Sequence, residues 1–257
     1  MPHPSGVLWV HYLPIVTTAV AAVFSLSLFR RYGERRTPHL LWWAIGIALY
    51  GVGTLAEATI TLAGNSVLLA KAWYISGAIL GGYPLAQGSL YFSYSRNFAR
   101  RATAISVPFV AAACVLVALS PVVPAALEPH RPSGAILGWQ WVRLMTPFIN
   151  TYAVFFLTGG AVASAWRFWR LHDPGRRVIG NILIAVGALM PGVGGALAKA
   201  GLVEALYVGE CIGLVVIWVG ERACAWRPVG RRADAAELRA VASHPASAPR
   251  EGHLVSE

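Results

Sequence analysis

Charge is scarce in this chain. Only 12% of its 257 residues are Asp, Glu, Lys or Arg, against 56% hydrophobic residues that include ten Trp. With a mean hydropathy of +0.58, that balance excludes an ordinary soluble domain, whose core cannot absorb so much apolar surface, and makes a lipid bilayer the expected solvent. Acidic residues are scarcer still, 11 against 21 Lys and Arg, for a net charge of +10. A nucleic-acid partner is not expected, because the arginines stand in short groups between apolar runs, as membrane topology signals do. Cysteine is limited to Cys114, Cys211 and Cys224. They form no CxxC or zinc spacing, so neither a disulfide framework nor a metal site is expected.

Basic residues are missing ahead of the first apolar run, "MPHPSGVLWVHYLPIVTTAV", and Arg30 and Arg31 follow it. A secretory leader has the reverse order, so this run reads as a retained membrane helix. Chemistry-bearing motifs are missing too. No HExxH, GxSxG, Walker A loop or paired Asp-rich motif is present, and the last apolar run has no lysine that could carry retinal. "GVGG" at 192–195 lies inside an apolar run and suits helix packing rather than phosphate. His11, near a membrane interface, reads as a hydrogen-bonding side chain. A non-enzymatic protein without cofactor, and without catalytic or metal residues, is therefore expected.

What is present is a series of seven apolar segments long enough to span, at about 7–29, 39–63, 67–94, 102–122, 138–166, 178–200 and 203–223. They predict an all-α fold, an integral membrane bundle of seven transmembrane helices over residues 1–223. Residues 224–257, rich in Ala, Pro, Ser and Arg, read as a disordered basic cytoplasmic tail. Arg30, Arg31, Arg35, Arg36, Arg96, Arg100, Arg101, Arg167, Arg170, Arg176 and Arg177 all fall in connections on one side. The positive-inside rule then puts the N-terminus outside and the C-terminus in the cytoplasm of a bacterial-type plasma membrane.

Polar residues inside the segments fall on stripes of helical spacing. Gly46, Tyr50, Gly53 and Glu57 form one; Lys71, Tyr74, Ala78 and Gly81 a second; Arg143, Pro147 and Asn150 a third. Asn181, Ala185, Ala188, Gly192, Gly195 and Lys199 make a fourth, and Tyr207 and Glu210 a fifth. Small residues let helices approach closely, so these stripes should face the bundle. Glu57 and Lys71 are equally far from Gly64 in a short turn, which places them at one depth, roughly 10 Å below it at 1.5 Å per residue. Glu57, Lys71, Arg143, Lys199, Glu204 and Glu210 thus make a balanced set of charges in the outer half, accompanied by Tyr74, Asn150 and Tyr207. Three readings compete: a structural ion-pair network, a polar pocket for a ligand, ion or proton, or surface charges placed by chance. Gln87, Tyr91 and Tyr94 form a second polar set, read as interfacial aromatics.

The second segment ends "YGVGTLAEA" and the sixth "PGVGGALAKA"; the third begins "KAWYIS" and the seventh "EALYVG". In this register segments one to three repeat as five to seven, a parallel 3+1+3 arrangement, although Gly- and Ala-rich sequences also match by chance.

"RRTPHLLWWAIGIALYGVGTLAEA" followed by "AKAWYISGAILGGYPLAQGSLYFSYSR" resembles the second and third helices of the seven-helix N-terminal sensor region of bacterial membrane histidine kinases. The resemblance covers about a quarter of the chain. It implies a sensor, signalling or accessory protein in the lipid bilayer that acts through a cytoplasmic or membrane protein partner. The alternative expectation is a small-solute or proton-coupled transporter built on the repeat. That reading predicts a polar route from Glu57 and Glu210 past Asn150 and Asn181 to Gln87.

Overall fold

The computed structural model describes residues 9–171, 175–202 and 204–225. The basic tail therefore lies outside the described residues except for its first two positions. Within them the secondary structure is helical, apart from one isolated bridge between Val122 and Leu137.

A 3-10 turn, Trp9–Tyr12, leads into α1 (Leu13–Arg35), and α2 (Pro38–Ala63) returns beside it. Pro14 and Pro38 sit in first turns, where a missing N–H costs nothing. Arg36 adopts a left-handed conformation (φ 51°) and its N–H closes on Tyr32 O at 2.8 Å, which ends α1. Gly64 ends α2 with φ +103°, a conformation that favours glycine. Ser66 then caps α3 (Val67–Trp73) by accepting the Leu69 N–H at 3.2 Å.

The third segment, over 67–94, is interrupted. After α3 the chain loosens into a π-helical segment, Tyr74–Ile79, turns, and restarts as α4 (Tyr83–Ser93). The break follows from Pro84, which cannot donate a backbone hydrogen bond, and from the flexible Gly81–Gly82 pair before it. The segment expected at 138–166 is also interrupted. It contains a 3-10 turn (Gln140–Leu144), α6 (Met145–Ala153), a second π segment (Val154–Gly159) and α7 (Gly160–Arg170). By contrast α5 (Arg96–Leu119), α8 (Arg176–Lys199) and α9 (Glu204–Ala225) are unbroken, and α5 and α8 run through Pro108 and Pro191.

Among the described residues, five stretches are long and apolar enough to cross a membrane by length and composition: 9–35, 38–63, 96–119, 140–170 and 176–198. This is compatible with a multi-pass membrane protein. Only 17% of the most apolar stretch of α5 is buried within the protein. Ile105 and Phe148 are 76% and 71% exposed, and faces of that kind call for lipid rather than water.

The arginine groups gather at one end of the bundle, where α1, α4 and α7 finish and α2, α5 and α8 begin. There His39 meets Phe92 (ring centroids 5.2 Å apart) and Arg31 pairs with Glu221. At the opposite end the long connection between α5 and α6 folds over the α2–α3 turn. Asn65 N–H donates to Pro129 O at 2.7 Å, and the Arg131 guanidinium reaches Ala198 O at 3.3 Å.

α9 runs alongside α1 in the same direction, with His11 against Tyr207 and Phe24 stacked on Trp218 at 5.4 Å. Against α8 it forms a glycine seam. A Cβ at Gly180 would stand 2.7 Å from Gly220 O, and one at Gly187 would stand 2.6 Å from Gly213 O. One at Gly194 would stand 2.6 Å from Ala205 O. On the expected α8 stripe Asn181 and Ala185 are buried and Ala188 packs against the core, while Gly192 departs from it. Gly192 has nothing within 4 Å of a built Cβ, because the seam repeats every seven residues (180, 187, 194) and leaves position 192 on the outer face.

Candidate functional site

Glu57 is completely buried, and neither of its carboxyl oxygens has a hydrogen-bond partner. Its position is set by its own helix. Gly46 and Gly53, on the same face of α2, let neighbours come close: a Cβ at Gly53 would lie 3.0 Å from Gly77 Cα in the first π segment. Glu57, one turn beyond Gly53, is carried into the same interface.

Facing it from α9 is Glu210, whose Oε2 is also shielded and unpartnered. The two carboxyl groups come within hydrogen-bonding reach of each other. Ionised carboxylates only accept, so this contact becomes a hydrogen bond only when one proton sits between them. Hydroxyl groups surround the pair. Tyr50 donates to the backbone carbonyl of Glu210 at 3.1 Å, and Tyr207 shares a hydrogen bond with Thr61 at 3.2 Å. His130, from the long connection, approaches Thr61 O at 3.2 Å.

Other residues singled out in the sequence go elsewhere. Lys71 does not pair with Glu57, which corrects one of the two partners, Lys71 or Lys199, expected for that acid. Its ammonium donates to Ala118 O (2.8 Å) and Ser120 O (2.7 Å), carbonyls at the C-terminal end of α5 that have no helical donor of their own. Tyr74 is buried and bonded to Thr146 Oγ1 at 2.9 Å. Arg143 donates to Gln140 Oε1 at 2.8 Å and is exposed. Asn150 is also exposed, on the outward face of α6. That side is turned away because Ile149 and Ala153, not Asn150, are its buried positions. Glu204, half-buried, occupies the first turn of α9, where an acid suits the helix dipole. The Lys199 side chain lies outside the described residues.

Of the nine residues, Glu57, Tyr207 and Glu210 are brought together. Tyr50 and Thr61 join them. Tyr50 was legible as a stripe partner of Glu57, whereas Thr61 carries no signal of its own in a run of small residues.

On the side of the pair toward the basic end lies an apolar layer: Phe24, Ala44, Ile47, Leu85 and Leu214 are buried in one cluster. The polar route past Asn150 and Asn181 is not formed. Asn150 faces outward, and Asn181 donates to Arg177 O at 2.8 Å near the start of α8.

Of the set read as interfacial, Tyr94 is exposed and Tyr91 half-buried, whereas Gln87 joins the neighbouring Tyr83 in a buried network. Gln87 is fully buried, and its Nε2 donates to Tyr83 OH and Ser106 Oγ, both at 2.7 Å. Thr103 Oγ1 lies 3.2 Å from Gln87 Oε1 and 3.3 Å from Tyr91 OH. Burial follows from packing: α5 crosses α4 here and covers it. No protein-family model, curated protein or solved structure matches this chain.

Proposed function

We propose that this chain is a non-enzymatic sensor or accessory protein of a plasma membrane, whose responding element is the Glu57–Glu210 carboxyl pair. In this reading it crosses the bilayer seven times, with the interrupted α3–α4 rod and α9 added to the five long apolar stretches. α9 has the length of a span despite Glu204, Glu210, Glu221 and Arg222. The N-terminus lies outside, because the arginine groups belong on the cytoplasmic side.

The observation that carries the reading is two buried carboxyl groups in contact, with no cationic partner for Glu57 among the described residues. Two unit charges of one sign about 4 Å apart repel by about 4 kcal/mol at an effective dielectric of about 20. The pair therefore keeps one proton as the bridge between its oxygens. Loss of that proton drives α2 and α9 apart. The apolar layer beneath the pair supports a sensor rather than a carrier, since it leaves the carboxyl groups at a dead end. The resemblance to the sensor regions of histidine kinases points the same way, and the readout would pass to a partner protein through the arginine-rich connections.

The carrier alternative, built on a parallel three-helix repeat, draws less support. The third crossing is interrupted by a π segment and a turn, whereas its repeat counterpart α9 runs unbroken for 22 residues.

Infrared difference spectroscopy of the protein in lipid nanodiscs tests this. A protonated-carboxyl stretch should be present at neutral pH and lost in Glu57→Gln. Proteoliposomes should show no proton or solute uptake. Absence of the band removes the shared proton, and uptake that depends on Glu57 restores the carrier.

A further inference from the structure

The carboxyl pair lies toward the end of the bundle opposite the arginine groups, and the residues above it can be followed outward one turn at a time. Thr61 is one turn beyond Glu57 on α2, about 6 Å further out at 1.5 Å per residue. Tyr207 is the corresponding step from Glu210, nearer the start of α9. Their hydroxyl groups meet at 3.2 Å, so the contact bridges the two helices directly above the pair. Tyr207 is 2% exposed and close enough for both carboxyl groups to act on its hydroxyl electrostatically. Thr61 is only half-buried. Thr17, Thr59 and Thr103 each donate back to the carbonyl four residues earlier. Thr61 makes no such bond among the described residues, and its hydroxyl is turned to Tyr207 instead.

The outer end of this bridge is held by an exchange of partners where α2 stops. Gly64 turns the chain, so the Asn65 N–H leaves the helix and donates to Pro129 O at 2.7 Å. The Thr61 carbonyl, which a continuing helix would have offered to that N–H, faces His130 Nδ1 at 3.2 Å. A carbonyl only accepts, so His130 carries a proton on Nδ1. Asn65 Nδ2 adds bonds to Glu128 O at 2.9 Å and Arg131 O at 3.3 Å. Residues 128–131 are thereby strapped across the end of α2, with His130 and Arg131 exposed to water. The titratable groups around the pair and its mouth are Tyr50 from α2, Tyr207 and Glu204 from α9, His11 ahead of α1, and His130 and Arg131 from the strap. In the other direction the apolar layer of Phe24, Ile47 and Leu214 closes the way.

We infer that the carboxyl pair exchanges its proton with the outer side alone, along a relay of two hydroxyl groups, Thr61 and Tyr207, whose outer end the 128–131 strap holds in place. This rests on the reading of the pair given above and names the side from which it is addressed. Each hydroxyl gives up one proton and receives another. One proton therefore passes from water at Thr61 to a carboxylate oxygen, and neither hydroxyl is changed.

Infrared spectroscopy of the full chain reads the exchange. In nanodiscs transferred to D2O the protonated-carboxyl band shifts as its proton is replaced. Thr61→Val and Tyr207→Phe should each slow that shift about tenfold, the worth of one hydrogen bond in the relay. Thr59→Val, on the same helix but bonded to Leu55 O outside the relay, should exchange at the parent rate. In proteoliposomes holding the unmodified protein in one orientation, the band should follow the pH of the compartment that faces the strap. A band that follows the opposite compartment, or exchange unaltered in both hydroxyl variants, overturns the relay and leaves the carboxyl pair standing. A band that is absent altogether removes the pair and the relay together. Because the sidedness measurement uses the unmodified protein, it tests the relay even where a variant folds poorly.

Discussion

Replacing Gly187 by alanine puts the α8–α9 seam to a direct test. A methyl group there would stand 2.6 Å from Gly213 O and 2.9 Å from both Ile217 Cγ1 and Ile217 N. Two of these atoms belong to backbone and cannot swing aside. To restore ordinary contact near 3.4 Å the helices must part by about 0.8 Å, which also loosens packing at Gly180–Gly220 and Gly194–Ala205. Overpacking of this kind costs about 1–3 kcal/mol. Gly192→Ala, on the same helix, meets nothing within 4 Å. It removes only the conformational freedom of glycine, a gain of about 0.5–1 kcal/mol. The two variants change the same residue type by the same methyl group, so the glycine contribution cancels and their difference, about 1–3 kcal/mol, isolates the seam. Reversible unfolding in mixed micelles, followed by Trp fluorescence, measures it, with Trp218 in α9 close to the seam. Equal effects of the two alanines, or a Gly187→Ala protein as stable as the parent, would refute the packing described here.

Further predictions concern the polar contacts. Lys71→Met should destabilise the protein by about 1.5–3 kcal/mol, because charge-assisted bonds to Ala118 O and Ser120 O are lost. Amide exchange should then rise in the connection after α5, and a protein unaffected in both respects contradicts the assignment. Arg31→Leu should cost about 2–3 kcal/mol by leaving the Glu221 carboxylate unpaired, somewhat less than a fully buried pair since Arg31 is 19% exposed. The double variant Arg31→Leu/Glu221→Leu should recover most of that loss in the same unfolding assay. Gln87→Leu should cost about 1–3 kcal/mol, because Thr103 and Ser106 lose partners inside the bundle. Ser106→Ala should cost a similar amount, because Tyr83 and Gln87 lose their shared acceptor, and a double-mutant cycle between positions 87 and 106 reads the coupling.

Composition and period alone determined a good deal. The apolar runs and the arginine groups between them are local properties, and local geometry obeyed them. Helix ends at Ala63 and Lys199 fall within a residue of those read from the sequence. The inward turn of Glu57 was legible as well, because Gly46, Gly53 and Glu57 share a face at helical spacing and all are buried. What only the tertiary structure decided is which stripe meets which. Matched depth suggested that Glu57 and Lys71 attract each other, yet depth is one coordinate and rotation about the helix axis is another. The π segment at Tyr74–Ile79 resets that rotation along the third crossing, and Lys71 finds the free carbonyls of α5 instead. Glu57 and Glu210 are 153 positions apart in the chain, and they meet because the glycine seam sets α9 against α8 while the Phe24–Trp218 stack and the Arg31–Glu221 pair hold it to α1. A helix period states which residues share a face. Only close packing between backbones settles what that face confronts.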